Sequence, residues 1–320
     1  MCSSDLAPPT ARESLSQDPP SLGGMRPLLM AALIAALAGC GGETRSARQS
    51  PPGSPTPLAT VTATPTPGPD EALPAGAAAL ADELVRERDA LYAAIDVWRS
   101  SGDPARGGPP EAVGVHAVRE QRVYRALGRR PALARAVVAA LPARLRAEAR
   151  DNVLARHELS RIVSVRRGPP PRIAIGRAEP ADVLRGHYRR AWRRFRVGPP
   201  LLAAVNFVES GYGRLRNRSI SGARGPMQFI PATWAAYGLG GDISDPRDAI
   251  LGAANYLHAN GAPGDETRAL YHYNPSTSYV RAIAAYARRI RADRRRFYGY
   301  YAWAVFTGER RRTGPGRPVP

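Results

Sequence analysis

The chain contains no lysine. Arginine therefore carries all of its basic charge, 46 residues against 27 acidic ones, for a formal net charge of +19. Acidic side chains are scarce as well as outnumbered. None occurs between Glu209 and Asp242. Cysteine is limited to Cys2 and Cys40, so no disulfide framework or cysteine-rich metal site can be assembled. Histidine appears five times and never in a ligand-like pair, which argues against a metal enzyme and gives no reason to expect a cofactor. Zinc-finger spacing and aromatic RNA-binding motifs are both missing. The basic charge alone is thus no reason to expect a nucleic-acid partner. Long apolar runs are lacking too. The longest, from Met25, is too short for a permanent membrane span.

That short run is informative for another reason. MRPLLMAALIAALAGC joins an arginine to an apolar stretch and closes on Leu37-Ala38-Gly39-Cys40, the build of an export signal over residues 25–39. Its ending resembles a bacterial lipoprotein signal, which implies that Cys40 is the lipidated first residue of an exported protein held at the membrane, facing the cell wall. Asp5, Glu13 and Asp18 make residues 1–24 a poor leader, so Met25 is read as the native start. Residues 40–72 are rich in Pro, Thr, Ser and Gly without an apolar period. They read as a semi-extended tether that cannot build a core.

Helical periodicity begins at Ala77, where Leu80, Leu84, Leu91, Ile95 and Trp98 form one stripe with Glu83 and Glu87 largely off it. Further helices are predicted over 111–128, 131–140 and 142–165, giving an N-terminal helical region, 73–168, with no chemical constellation of its own. After the Gly168–Pro171 punctuation, helices are predicted over 181–197, from Pro199 to Glu209, at 231–237, over 249–259 with Asp245-Pro246 as its cap, from Asp265 to Tyr271, and over 276–292. Strand signals are nearly absent, so the fold class is mainly α. The tail 306–320 reads as a flexible basic segment.

Four stretches stand in order: FVESGYG with Glu209-Ser210, SGARGPMQFIPATW with Met227-Gln228, AANYL with Asn255-Tyr256, and YHYNPS with Tyr273-Asn274. In this order they resemble the lytic transglycosylases of the lysozyme-like soluble-transglycosylase superfamily, enzymes that cleave bacterial peptidoglycan. The forms GPMQFIPATW and HYNPSTSYVRAIAAYA are most similar to the actinobacterial type. The resemblance implies a lysozyme-like helical catalytic domain over 172–305. It also implies Glu209 as the catalytic acid, Ser210 as its neighbour, Met227 and Gln228 lining the sugar groove, and Tyr273 and Asn274 facing it. Pro226 and Pro275-Ser276 depart from the commoner family residues.

The residues themselves agree with that chemistry. Glycoside cleavage needs a neutral carboxylic acid near pH 7, and burial at the end of the apolar helix 199–209 raises a carboxyl pKa. Arg214, Arg216, Arg218 and Arg224 would oppose this if they came close, so they are expected to point outward. Asn255 and Tyr256 are read as helix packing, and Tyr298, Tyr300, Tyr301 and Trp303 as closing the core. Two alternatives stay open at this point. One is a hydrolytic muramidase in which Asp242, Asp245 or Asp248 folds back as a base. The other is a non-catalytic wall-binding lipoprotein.

The anchoring expectation has a direct check. Wild-type protein should fractionate with membrane, and Cys40→Ala should yield an uncleaved or soluble form. Full recovery of wild-type protein from the culture medium would contradict it.

Overall fold

A computed structural model of the protein describes residues 68–162 and 173–317. The segments expected to be the export signal and nearly all of the tether, with Cys40, lie outside the described residues. Eleven helices and one minimal hairpin are present among those described. In order, α1 is Ala77–Ser101, α2 Glu111–Gly128, α3 Pro131–Ala140 and α4 Ala143–Arg161. Then come α5 Ala181–Phe195, α6 Pro199–Ser210, α7 Pro231–Tyr237, α8 Pro246–Ala259, α9 Glu266–Tyr273, α10 Thr277–Ala292 and α11 Arg294–Ala302. Strands β1 (Phe306–Thr307) and β2 (Arg310–Arg311) pair antiparallel.

Helix starts follow local chemistry. Asp245, Asp265, Ser276 and Asp293 are the N-caps of α8 to α11, and each accepts a hydrogen bond from a backbone N–H of the first turn. Pro199 and Pro200 open α6, where no amide donor is required. Helix α6 is apolar all round. Leu201 to Val205 are all buried, so this helix runs through the core rather than along its surface. It packs against α5 and α10, and α10 in turn packs against α4. The helices before and after residue 168 therefore share one hydrophobic core.

Several boundaries and burial expectations change. Helix α4 stops at Arg161 and α5 at Phe195, where Arg196 takes a left-handed conformation (φ 59°). Helix α8 has Asp245 as its cap, as expected, and its first turn begins at Pro246, ahead of the apolar pattern from Ala249. Glu83 and Glu87 are buried rather than off the apolar face of α1. Arg119 Nε donates to Glu83 Oε1 at 2.7 Å, and His116 Nδ1 lies 2.8 Å from Glu87 Oε2, so α2 supplies the partners that make this burial possible.

The tail differs most from expectation. Residues 306–317 are docked, not free. Arg311 is buried, its Nη2 donating to Asp70 Oδ2 at 2.5 Å and its Nη1 to the Pro315 carbonyl at 2.7 Å. Arg125 of α2 donates to the Gly308 carbonyl at 2.5 Å and stacks over the Phe306 ring. Basic side chains here are bound by carboxylate and carbonyl oxygens, which a reading of charge alone treats as solvated.

Helix α11, which no sequence period announces, joins the two halves. Arg296 is fully buried. It donates from Nη1 to Glu120 Oε2 at 2.9 Å and from Nε to the Tyr92 hydroxyl at 2.8 Å, and its Nη2 lies 2.6 Å from Glu148 Oε1. One guanidinium thus neutralises carboxylates from α2 and α4 and contacts α1. Burial pushes the Glu148 carboxyl up, the Arg296 charge pulls it back, and the Glu120 charge adds to the rise. Around it, Tyr300 donates to Asn152 Oδ1 at 2.7 Å and Trp303 Nε1 to Glu120 Oε2 at 3.3 Å. The aromatic run is core, as expected. Breaking a buried ion pair from one side costs about 3–5 kcal/mol, so Arg296→Met should lower stability by that order at pH 7. A midpoint in urea unchanged from wild type would show that Arg296 does not hold the halves together.

Candidate active site

The last turn of α6 carries the only carboxylate of that helix into the interior. Glu209 is 4% exposed. Its Oε1 accepts a hydrogen bond from the Tyr279 hydroxyl at 2.6 Å. Burial pushes the Glu209 carboxyl up to about 7, against the pull of the Tyr279 hydrogen bond. A carboxyl in this state exchanges its proton near neutral pH, which suits a group that both donates and accepts one.

The arginines that follow leave this carboxyl alone, although not all by pointing outward. Arg214 is buried, a correction to its expected exposure. Its guanidinium lies 4.5 Å from the Tyr301 ring centre and Nη1 donates to the Gly211 carbonyl. Arg216 donates to the Arg177 carbonyl, and both Arg216 and Arg218 are exposed. Arg224 is half-buried on the turn that carries Gln228.

The chain after Glu209 is held by backbone constraints. Gly211 caps α6 in the left-handed region (φ 59°), and Tyr212 and Gly213 continue at φ 65° and 82°. The Ser210 hydroxyl donates to the Pro226 carbonyl at 2.5 Å and accepts from the Gly213 amide at 2.7 Å. It thereby ties the end of α6 to the 224–229 turn. Gly225 sits at φ 78°, where a Cβ would also collide with the Ile243 carbonyl oxygen. Gln228 follows at φ 50°, its Nε2 donating to the Gly225 carbonyl at 3.0 Å.

The residues expected to contact sugar are brought together here, but as walls rather than as exposed contacts. Ser210, Met227, Tyr273 and Asn274 are each at most 4% exposed, and Gln228 is 6%. Met227 Sδ accepts from Asn206 Nδ2 at 3.1 Å, and the Met227 carbonyl accepts from the Tyr273 hydroxyl at 2.6 Å. Ser210 has both hydroxyl functions engaged, and the Met227 thioether faces the core. What these residues do in the structure is fix the turn opposite Glu209. Asn255 donates to the Tyr237 carbonyl and Tyr256 to the His272 carbonyl, so both join helices, as expected.

Tyr279 was not among the expected site residues. It lies on the inward period of α10 with Ile283, Tyr286 and Ile290, all buried. A tyrosine buried at that register requires a partner for its hydroxyl, and that was the available signal.

The three aspartates considered as a second carboxylate are spent on the start of α8. Asp245 Oδ1 accepts from the Asp248 amide, Asp248 Oδ2 from the Asp242 amide and Asp242 Oδ1 from the Ser244 amide. Among the described residues, no charged group contributes to the shift at Glu209, and no cluster suited to a metal ion is found.

Residues 187–296 match the family model described as the transglycosylase SLT domain. The segment is a transglycosylase SLT domain. That assignment supports an enzyme of the lysozyme-like lytic transglycosylases acting on peptidoglycan. No curated protein and no solved structure gives a significant match to the chain. The SLT domain opens within α5 and closes at the start of α11, so it contains Glu209, Tyr279 and the whole 210–229 turn, whereas α1–α4 precede it.

Tyr279 favours the charged form of Glu209. Carbon-13 NMR titration should therefore place the Glu209 carboxyl near 7 in the wild type and higher in Tyr279→Phe. An unchanged value in the variant would mean that the hydroxyl does not act on it.

Proposed function

We propose that the SLT domain cleaves the β-1,4 bond between N-acetylmuramic acid and N-acetylglucosamine in peptidoglycan, with Glu209 as general acid and then general base. The observation that carries this reading is a single buried carboxyl poised near neutrality, with no second carboxylate acting on it. Hydrolases of this kind generally position a partner carboxylate to activate water or attack the sugar. Here the one acid serves twice.

In the first step the Glu209 carboxylic acid gives its proton to the glycosidic oxygen as the bond from that oxygen to C1 of the muramoyl ring breaks. The N-acetylglucosamine end leaves with a free hydroxyl. Positive charge on C1 is steadied by the ring's own acetamido oxygen. Glu209, now a carboxylate, takes the proton of the C6 hydroxyl, and O6 bonds to C1. The nucleophile is already tethered to the reacting carbon, so the step has the advantage of an intramolecular reaction. The product is a 1,6-anhydromuramoyl end, and Glu209 is reprotonated and ready. Tyr279 is a positioning residue in this scheme, holding Oε1 while leaving the second oxygen to the proton. With Cys40 lipidated and residues 40–72 as a tether, the domain would act on the wall from the membrane surface.

General acid catalysis contributes about 100- to 10,000-fold, so Glu209→Gln should lower glycan cleavage by at least about 100-fold. The same variant carries a stability signature of opposite sign. The folded carboxyl is raised from 4.5 to about 7, so burying its charge costs stability as pH rises through that interval, and the cost is complete above 7. Glu209→Gln should therefore unfold at a higher temperature than wild type at pH 8, by up to about 3 kcal/mol in stability. The gain should vanish at pH 4. Folded Glu209→Gln with near wild-type cleavage would remove Glu209 from the chemistry.

A further inference from the structure

A groove of about 570 Å³, open to solvent along much of its length, lies outside the SLT domain, between the end of α2, helix α3 and the middle of α4. Helices α2 and α4 touch at its floor, where Gly128 lets the Arg156 backbone approach, and α3 forms a further side. Its walls are apolar, formed by Leu127, Val138, Val153 and Leu154. The Gly128 carbonyl at the floor is satisfied. His157 Nδ1 donates to the Gly128 carbonyl at 3.1 Å.

The rim has one sign of charge. Arg135, Arg146 and Arg150 border the opening, and none of the residues that line it is acidic. Arg146 is held in place by the Leu141 and Ala139 carbonyls at 2.8 and 3.2 Å. Arg135 and Arg150 are exposed and have neither an ion pair nor a hydrogen bond among the described residues. Asp151, the acid nearest to Arg150 along α4, is engaged by Arg288 and Arg289 of α10. The volume falls within the range of about 300–1,000 Å³ typical of small-molecule sites. An apolar interior under unneutralised guanidinia excludes a cation and leaves a neutral apolar ligand with no use for the rim.

We infer that this groove binds a long-chain fatty carboxylate, the alkyl chain inside and the carboxylate against Arg135 and Arg150. Arginine is suited to that head because its guanidinium fork matches the two carboxylate oxygens. The site is independent of Glu209 and of the SLT domain chemistry.

Isothermal titration calorimetry with dodecanoate, below its micelle concentration, on the full chain tests this. One saturable site is expected. Hexanoate, too short to fill the groove, and dodecyltrimethylammonium, of the wrong charge, should each bind at least about tenfold more weakly. Arg135→Gln with Arg150→Gln, both at exposed positions, should weaken dodecanoate by about tenfold or more, and Ala139→Trp at the rim should abolish it. Equal affinity for the anionic and cationic amphiphiles, or no saturable heat, would overturn the proposal. So would binding to phosphatidylglycerol vesicles with none to monomeric dodecanoate, which would make the region a membrane contact instead. The three amphiphiles decide the matter on wild-type protein even if a variant fails to fold.

Discussion

The site depends on one carboxyl group held out of water beside one tyrosine hydroxyl. Desolvation disfavours the ionised form of Glu209, and the Tyr279 hydrogen bond partly restores it. With no arginine and no second carboxylate contributing, these two opposed influences leave the acid near neutrality. Everything around it serves that separation. Helix α6 is apolar on every face, so its end is delivered to the interior. The run of left-handed residues 211–213 then turns the chain sharply enough for Ser210 to lock onto Pro226. The arginines of the following segment are drawn off onto carbonyls, the Tyr301 ring and solvent.

Charge elsewhere in the core is treated in the opposite way. Arg296 gathers Glu120 and Glu148, and Arg119 gathers Glu83 and Glu87, in places where no reactive group is needed. The Arg119 pairs join the consecutive helices α1 and α2, whereas the Arg296 pairs bring together helices far apart in the chain and join α2 and α4 to the end of the SLT domain. A buried pair is weak evidence for net stability against an apolar replacement. Its consequence here is geometric. Helix α11 is pinned by Arg296, its Tyr300 stacks on Phe207 of α6 while the adjoining Trp303 meets the same ring edge-to-face, and Phe207 lies one half-turn before Glu209. The N-terminal helices thus support the site without entering it.

Much of this was legible in the residues. Glu209 stood out because it is a lone acid at the end of an apolar helix, and Asp265 and Ser276 marked the starts of α9 and α10 to within a residue. Local signals sufficed because the interactions are local. What escaped notice was long-range. Tyr279 meets its partner across 70 residues of chain. The burial of Glu83, Glu87 and Arg311 depends on partners that charge patterning along one helix cannot supply. The burial of the residues expected to line a sugar groove depends on contacts between the 224–229 turn and α9, which meet through Tyr273 and the Met227 carbonyl.

The central claim is that a single carboxyl does the work of two, with the substrate's own hydroxyl in place of water. Mass spectrometry of peptidoglycan digested by the purified protein tests it most directly. Products should end in 1,6-anhydro-N-acetylmuramic acid, each one water lighter than a hydrolysis product and resistant to borohydride. A digest dominated by reducible muramic-acid ends would contradict the claim and require a second carboxylate at the site.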